Sequence, residues 1–163
     1  MNVRLLLAVM LLLLLALPLC AENENSKTAL GFHAGTSTGV GYAMRWMGPE
    51  VGVQATFGAY AINESSAINF AVNGMGILDE FRYGRIYIMA GGMVKYYHHD
   101  KYEDPYYPEE EINENRWCVG VGPGLEWILS KQFRLALEIP ITYNWKNDII
   151  MYIPQGGIYY YFK

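Results

Sequence analysis

Apolar and small or polar residues alternate along most of the chain, with the period of two that is typical of β-strands. In residues 39–47, GVGYAMRWM, the even positions hold Val, Tyr, Met and Trp, whereas the odd positions hold mainly Gly, Ala and Arg. Beyond the N-terminal segment no sustained period of 3.6 residues occurs, so the pattern predicts an all-β protein. The predicted strands are 28–35, 39–47, 51–60, 67–77, 85–96, 117–129, 133–144 and 149–162.

The connections between these eight strands also alternate, between tight turns and longer loops. Turns are expected at 48–50, 79–85 and 130–132, and loops at 36–38, 62–67, 98–115 and 145–148. In an up-and-down meander the three turns fall at one end and the four loops at the other. This is the layout of an eight-stranded antiparallel transmembrane β-barrel. Within the fourth strand the alternation fades at 74–76, which we interpret as a β-bulge.

The two faces of the predicted strands differ in a way that indicates the surrounding solvent. One face is apolar and nearly free of charge through all eight strands, which would be an aggregation surface in water. The other combines many Gly and Ala residues with a few charges, as expected for the narrow interior of an eight-stranded barrel. Because an unpaired buried charge is costly, we expect these charges to form an ion-paired network in the lumen. Its predicted members are His33, Arg45, Arg85, Lys95, Glu126, Arg134 and Glu138.

Aromatic residues lie near the strand ends on the apolar face. Amphipathic rings at these positions are typical of the girdles at both membrane interfaces. The predicted girdle residues are Trp46, Trp117, Trp127, Phe133, Tyr143, Tyr152, Tyr160 and Phe162.

The N-terminus has the layout of a secretory signal peptide. Arg4 precedes an apolar run that ends at Pro18, and Ala21 offers a small residue for cleavage. We therefore expect residues 1–21 to be a signal peptide and 22–163 the barrel domain. An alternative is a lipobox, with Cys20 as an acylated first residue.

Composition and charge narrow the class of protein further. Hydrophobic residues make up 52% of the chain and charged residues 17%, and 14 tyrosines accompany 17 glycines. Loss of residues 1–21 removes only Arg4 among the charged residues, so the formal charge changes from −4 to −5. An acidic chain is not expected to bind nucleic acid. Only Cys118 would remain after cleavage, so no intramolecular disulfide is expected.

The chain resembles the small eight-stranded outer-membrane barrels of the OmpX and OmpA-barrel kind. The resemblance covers residues 28–163 in layout. It is most specific in the hairpin sequence VGVGPGLEWILSKQFRLALEIPITYNW at 119–145 and in the aromatic last strand. In those families the final residue is usually the Phe itself, whereas here Lys163 follows Phe162. The resemblance implies a location in the bacterial outer membrane, contact with membrane lipid and lipopolysaccharide, and insertion by the barrel-assembly machinery.

The loop at 98–115 is the longest connection and the most acidic part of the chain. Its prolines and tyrosines add stiffness and contact area, and we interpret it as a surface for an extracellular protein partner. The alternative is a mobile, solvated loop. The residues singled out are Asp100, Glu103, Asp104, Tyr106, Tyr107, Glu109, Glu110 and Glu111.

The predicted function is a structural or surface-interaction role, adhesion-like and without catalysis, cofactor or metal. A small passive pore and a soluble, lipocalin-like binding barrel are the alternatives. Glu126 and Glu138 could instead form a glycosidase-like carboxylate pair. His98 or His99 beside Ser65 or Ser66 could serve a lipid A-modifying enzyme, but that family's motifs have no residue-by-residue match here.

Overall fold

A computed structural model describes residues 27–62, 65–99 and 112–162. The predicted signal segment and most of the acidic loop lie outside this range. The described chain forms ten strands: β1 (Lys27–Gly35), β2 (Gly39–Met47), β3 (Val51–Ile62), β4 (Ser65–Phe81), β5 (Gly84–His99), β6 (Ile112–Ile128), β7 (Phe133–Glu138), β8 (Ile141–Asn144), β9 (Ile149–Tyr152) and β10 (Gln155–Tyr161).

These strands close into a single antiparallel barrel. The order around the barrel is β5-β4-β3-β2-β1-β10-β7-β6, and β6 pairs back to β5. The first and last strands meet along a seam in which Leu30 lies opposite Tyr160 and Phe32 opposite Ile158. The predicted eight-stranded barrel is confirmed, with β7 and β8 together forming the seventh wall and β9 and β10 the eighth.

Proline explains why two of the predicted strands are each divided into two. Pro140 separates β7 from β8, and Pro154 separates β9 from β10. Proline has no N–H to donate to a neighbouring strand. It therefore interrupts a strand that is paired on both sides. The prediction of continuous strands at 133–144 and 149–162 is wrong at these two positions. On the loop side of these two prolines β8 pairs with β6 and β9, and no other described strand pairs with β9.

The walls differ strongly in height. Strands β4, β5 and β6 have 17, 16 and 17 residues, against 9 each for β1 and β2. The predicted loops at 62–67 and 98–115 are therefore too long, because 65–67, 98–99 and 112–115 belong to strands. We call the loop-end portion at 59–62, 65–68, 96–99 and 112–115 the projecting sheet. Its two outer strands have no partner among the described strands on their far sides.

The predicted bulge at 74–76 is also misplaced. Gly74 and Gly76 pair regularly with Ala90 and Ile88 on β5. The register shifts instead between Ile77 and Asp79, where the unpaired residue is Leu78.

The distribution of side chains is inverted relative to a water-soluble protein. Charged and polar residues such as Arg45 and Glu126 are fully buried in the lumen. Large apolar residues cover the outside, including Leu30, Phe32 and Val121. Such a surface is stable where hydrocarbon surrounds it, and closure pairs β1 with β10, so that neither the first nor the last wall is left as an open edge along this seam.

No helix within 27–62, 65–99 and 112–162 is long and apolar enough to cross a membrane.

Candidate functional site

The centre of the lumen is the guanidinium group of Arg45 on β2. It is fully buried and donates to Glu126 Oε2 at 2.8 Å and to Glu138 Oε1 at 3.3 Å. Its Nε and Nη2 atoms donate to Gln54 Oε1 at 2.9 and 2.6 Å. Nη2 also donates to the Tyr159 hydroxyl at 3.1 Å, and the group lies 3.9 Å from the Tyr159 ring centroid. One cation therefore links four walls of the barrel.

Glu126 on β6 contacts the other two arginines of the lumen, Arg85 and Arg134. Its Oε1 atom accepts a hydrogen bond from Arg134 at 2.9 Å and forms an ion pair with Arg85 Nε at 3.1 Å. Its Oε2 atom accepts from Arg45 and, at 2.8 Å, from the Tyr161 hydroxyl. Three hydrogen bonds and the ion pair with Arg85 satisfy the buried carboxylate, which is the condition under which a buried ion pair is tolerated.

Glu138 on β7 is held in the same way on the other side of Arg45. The Tyr87 hydroxyl donates to its Oε1 atom at 2.6 Å, and Gln155 donates to Oε2 at 2.9 Å. His33 Nε2 lies 3.6 Å from Oε2, and His33 Nδ1 lies 2.5 Å from the Tyr159 hydroxyl. We call the set of His33, Arg45, Gln54, Arg85, Tyr87, Glu126, Arg134, Glu138, Gln155, Tyr159 and Tyr161 the ionic layer.

The ionic layer is nearly balanced in charge. It contains three arginines and two glutamates, and Glu80 at the turn end adds a carboxylate 3.3 Å from Arg85. The predicted network members His33, Arg45, Arg85, Glu126, Arg134 and Glu138 all lie in it.

Lys95 is the exception among the predicted network residues. It lies ten residues along β5 from Arg85, about 33 Å at ~3.3 Å per residue, so it sits at the loop end. Its ammonium group lies 5.8 Å from the Tyr97 ring centroid. The structure thus separates Lys95 from the ionic layer. The sequence prediction grouped them because alternation shows which face a residue lies on but not how far along the barrel axis it lies.

Glycines on the lumen side make room for the rings of the ionic layer. A Cβ atom at Gly124 would overlap the Tyr87 ring, and one at Gly31 would overlap Tyr159. The glycines of the sequence pattern are therefore required by packing in a crowded interior.

The turn between β1 and β2 folds into the barrel above the ionic layer. Ser37 and Thr38 are buried, and the Ser37 side chain occupies the space that a Cβ at Gly120 would need. Gly39, with φ of 76°, allows the sharp return of the chain. The predicted loop at 36–38 is thus a plug of the outer mouth.

Asn69 on β4 fixes the backbone where β2 leaves the sheet. Its Oδ1 atom accepts from Val40 N at 2.9 Å, and its Nδ2 atom donates to Val40 O at 2.9 Å and Gly58 O at 3.2 Å. One side chain replaces the ladder bonds that β2 loses by bending inward.

A second charged cluster lies at the loop end of β6. Glu114 accepts from Arg116 at 3.1 Å and pairs with Lys146 in the β8–β9 turn. The hydrogen bonds from Lys146 and Arg116 lower the pKa of Glu114 below its ordinary value. The cluster ties the projecting sheet to the adjacent turn.

The predicted girdle residues occupy both ends of the outer surface. Trp46, Trp127, Phe133, Tyr160 and Phe162 lie toward the turn end, and Trp117, Tyr143 and Tyr152 toward the loop end. Tyr160 makes edge-to-face contacts with Phe133 and Phe162 at centroid distances of 5.3 and 5.4 Å.

The arrangement offers little for catalysis. Glu126 and Glu138 are both occupied by arginine and tyrosine donors, so neither is placed to transfer a proton to a substrate. The strand register sets Ser66 opposite His98 and Ser65 opposite His99. In the part of the chain that the structure describes, no cluster of His, Cys, Asp or Glu could hold a metal ion.

Several members of the ionic layer were not singled out as site residues from the sequence. Gln54 is the shared acceptor of Arg45, and Tyr87, Tyr159 and Tyr161 donate to other members of the layer. The available signal was their place in the alternation of each strand, because they occupy the positions opposite to the apolar face and so point into the lumen. The acidic residues predicted at 100–111 lie outside the described residues.

No protein-family model matches the chain, and no curated protein matches its sequence. The fold is similar to the crystal structure of Ail, the attachment invasion locus protein of Yersinia pestis. That match has a TM-score of 0.54 and 13% identity, and it covers 84% of this chain and 97% of Ail. Ail in complex with the heparin analogue sucrose octasulfate matches with a TM-score of 0.50, 13% identity and the same coverage. The chain thus has the fold of a small outer-membrane barrel, as its resemblance to the OmpX and OmpA barrels predicted.

Proposed function

We propose that this protein is a bacterial outer-membrane barrel that binds an extracellular partner through the projecting sheet and the acidic loop at 98–115. The location is supported by the apolar outer surface, the aromatic residues at both ends and the likeness of the fold to Ail. Export by the signal segment at 1–21 and insertion by the barrel-assembly machinery are part of the proposal.

The projecting sheet is the observation that carries the binding role. It extends β3, β4, β5 and β6 beyond the neighbouring walls, and its outer strands lack described partners on their far sides. Open edges with free N–H and C=O groups can pair with an extended segment of another protein.

The charge of the loop indicates which partner to expect. Ail forms a complex with a heparin analogue that carries sulfate groups. In this chain the segment 98–115 contains seven acidic residues, against Lys101 and the two histidines His98 and His99. We therefore expect a partner with a basic surface, since like charges would repel a sulfated polymer.

The binding of host extracellular proteins to washed cells that express the protein tests this role. Cells that express the protein are expected to retain a basic partner, and replacing residues 100–111 by a short Gly-Ser linker should abolish retention. The matched control replaces the acids of 100–111 by their amides and keeps the tyrosines. Equal retention by all three would reject the proposed role of the loop.

Cell fractionation tests the location separately. The protein is expected in the outer-membrane fraction, to require detergent for extraction, and to change gel mobility on heating. Release by osmotic shock would identify the soluble alternative. For the pore alternative, discrete conductance steps in planar bilayers would be decisive, but the ionic layer and the inward turn give it no support.

A further inference from the structure

The hydrophobic part of the lumen has an unusual composition. Among the residues whose side chains the structure describes, no Leu, Ile, Val or Phe is buried, although these four types cover the outer surface. The buried hydrophobic residues larger than alanine are Met47, Met75, Tyr87, Met89, Met93, Cys118, Tyr159 and Tyr161. Leu, Ile and Val are the residues that best fill a core in defined rotamers, so the filling of space alone does not account for four methionines.

Three of these methionines lie in one row across four neighbouring strands. Met47 on β2 and Met75 on β4 are both paired with Gly52 on β3, which stands between them. Met75 is in turn directly opposite Met89 on β5, and the Cβ atoms of such a pair are about 5 Å apart. A Cβ atom at Gly52 would overlap Met47 Sδ, so this sulfur lies across the glycine toward Met75. The three thioethers are buried together in one cluster.

The charge beside this row is already compensated. Arg45 precedes Met47 by two residues on the same face of β2, and its guanidinium group donates to the carboxylates of Glu126 and Glu138. A thioether is a neutral, soft ligand, whereas hard divalent cations such as Mg²⁺ and Ca²⁺ require oxygen ligands. The row therefore favours a soft monovalent cation, which adds the smallest charge to the lumen.

We propose that Met47, Met75 and Met89 form a three-coordinate site for Cu(I). Soft sulfur ligands select this ion, and the three rotatable bonds of each methionine let the sulfur atoms converge on it without a change of the backbone. Met47 is the last residue of β2, so the row begins at the turn end of the barrel. Short turns of outer-membrane barrels lie on the periplasmic side, which makes the periplasm the source of the ion. Methionine is not among the His, Cys, Asp and Glu ligands considered above, and the site departs from the expectation of a protein without a metal.

Native mass spectrometry of the full-length protein in detergent tests the site, with Ag(I) as a probe of the same charge and softness that is stable in air. The reference protein carries Cys20→Ser and Cys118→Ser, because thiolates would bind the same ion. It is expected to retain one Ag(I). Met89→Leu leaves two thioethers and should weaken Ag(I) binding at least about tenfold, since the loss of even an outer-shell partner costs a metal site this much. Met93→Leu is the matched control, because it makes the same change on the same face of β5 but in a different cluster.

Met75→Leu provides a second variant, in case Met89→Leu does not reach the heat-modifiable folded form, and it should weaken Ag(I) binding to the same extent. X-ray absorption by the Cu(I)-loaded reference protein should show three sulfur neighbours around the metal. The proposal is overturned if the reference protein retains no Ag(I), or if Met89→Leu and Met93→Leu bind it equally well. Fewer than three sulfur neighbours, or nitrogen and oxygen in their place, would overturn it as well.

Discussion

Arg45 shows how a charge can be placed in the interior of a narrow barrel. Its planar group has five donors in a fixed fork, and acceptors on four strands of different walls meet them. Lysine has a compact ammonium group and could not reach Gln54, Glu126 and Glu138 together. The ionic layer therefore depends on the shape of this side chain as much as on its charge.

Removing one carboxylate from the ionic layer should be costly. Glu138→Ala leaves Arg45, Tyr87 and Gln155 with unsatisfied buried donors, so we expect a loss of about 3–5 kcal/mol. Urea unfolding in detergent micelles, followed by tryptophan fluorescence, measures it. Glu80→Ala is the matched control, since Glu80 is exposed and should change stability by about 1 kcal/mol at most. Equal midpoints for both variants would contradict a structural role of the layer.

A glycine-to-alanine pair tests the crowding of the lumen. Gly124→Ala should displace the Tyr87 ring from Glu138 and cost about 1–3 kcal/mol, as overpacking does. Gly76→Ala makes the same change where the space is open and should leave the urea midpoint unchanged or higher. The prediction fails if Gly124→Ala is as stable as the wild type.

The residues of the lumen were predictable from the sequence, but their partners were not. Alternation placed Arg45, Glu126 and Glu138 on one face of their strands. Alternation does not show how far along the barrel axis a residue lies. For this reason Lys95 was grouped with residues that the structure places near the other end of the barrel. Cross-barrel partners depend on the stagger between strands, and only closure fixes that stagger.

Among the elements, the turn at 36–38 departs most from the expected loop. A three-residue connection between short strands would normally stand at the surface. Here it enters the lumen because Gly39 permits the return and Gly120 leaves a space for Ser37. The glycines are visible in the sequence. That Gly120 on β6 leaves a space for Ser37 of the first hairpin could not be predicted, because the two residues meet only in the closed barrel.

Asn69 should be essential for this element. Asn69→Ala removes the partner of both Val40 backbone groups, and we expect a loss of about 1–3 kcal/mol. Asn73→Ala is the control on the same strand and face, because neither side-chain polar atom of Asn73 has a hydrogen-bond partner among the residues that the structure describes. It should be neutral in the same urea assay. Equal destabilisation by the two variants would reject the proposed role of Asn69.

The whole molecule is a barrel only because β10 pairs with both β1 and β7. Ile158→Pro removes a ladder donor between two neighbours and should abolish the compact, heat-modifiable form on gels. Ile150→Pro is placed on β9, which pairs with β8 alone among the described strands, and should retain that form. A compact form of Ile158→Pro would show that closure does not require this part of the seam.

The seam also determines how the barrel can fold. Residues 29–34 of β1 meet 156–161 of β10, so the contact that completes the barrel joins the most distant parts of the described chain. The entropy of closing such a long loop is lost before the contact is gained, which makes this a slow, high-contact-order step. Until then both strands present open edges that can pair with other chains. The protein is thus most prone to aggregate in the interval between exposure of β1 and the pairing of β1 with β10.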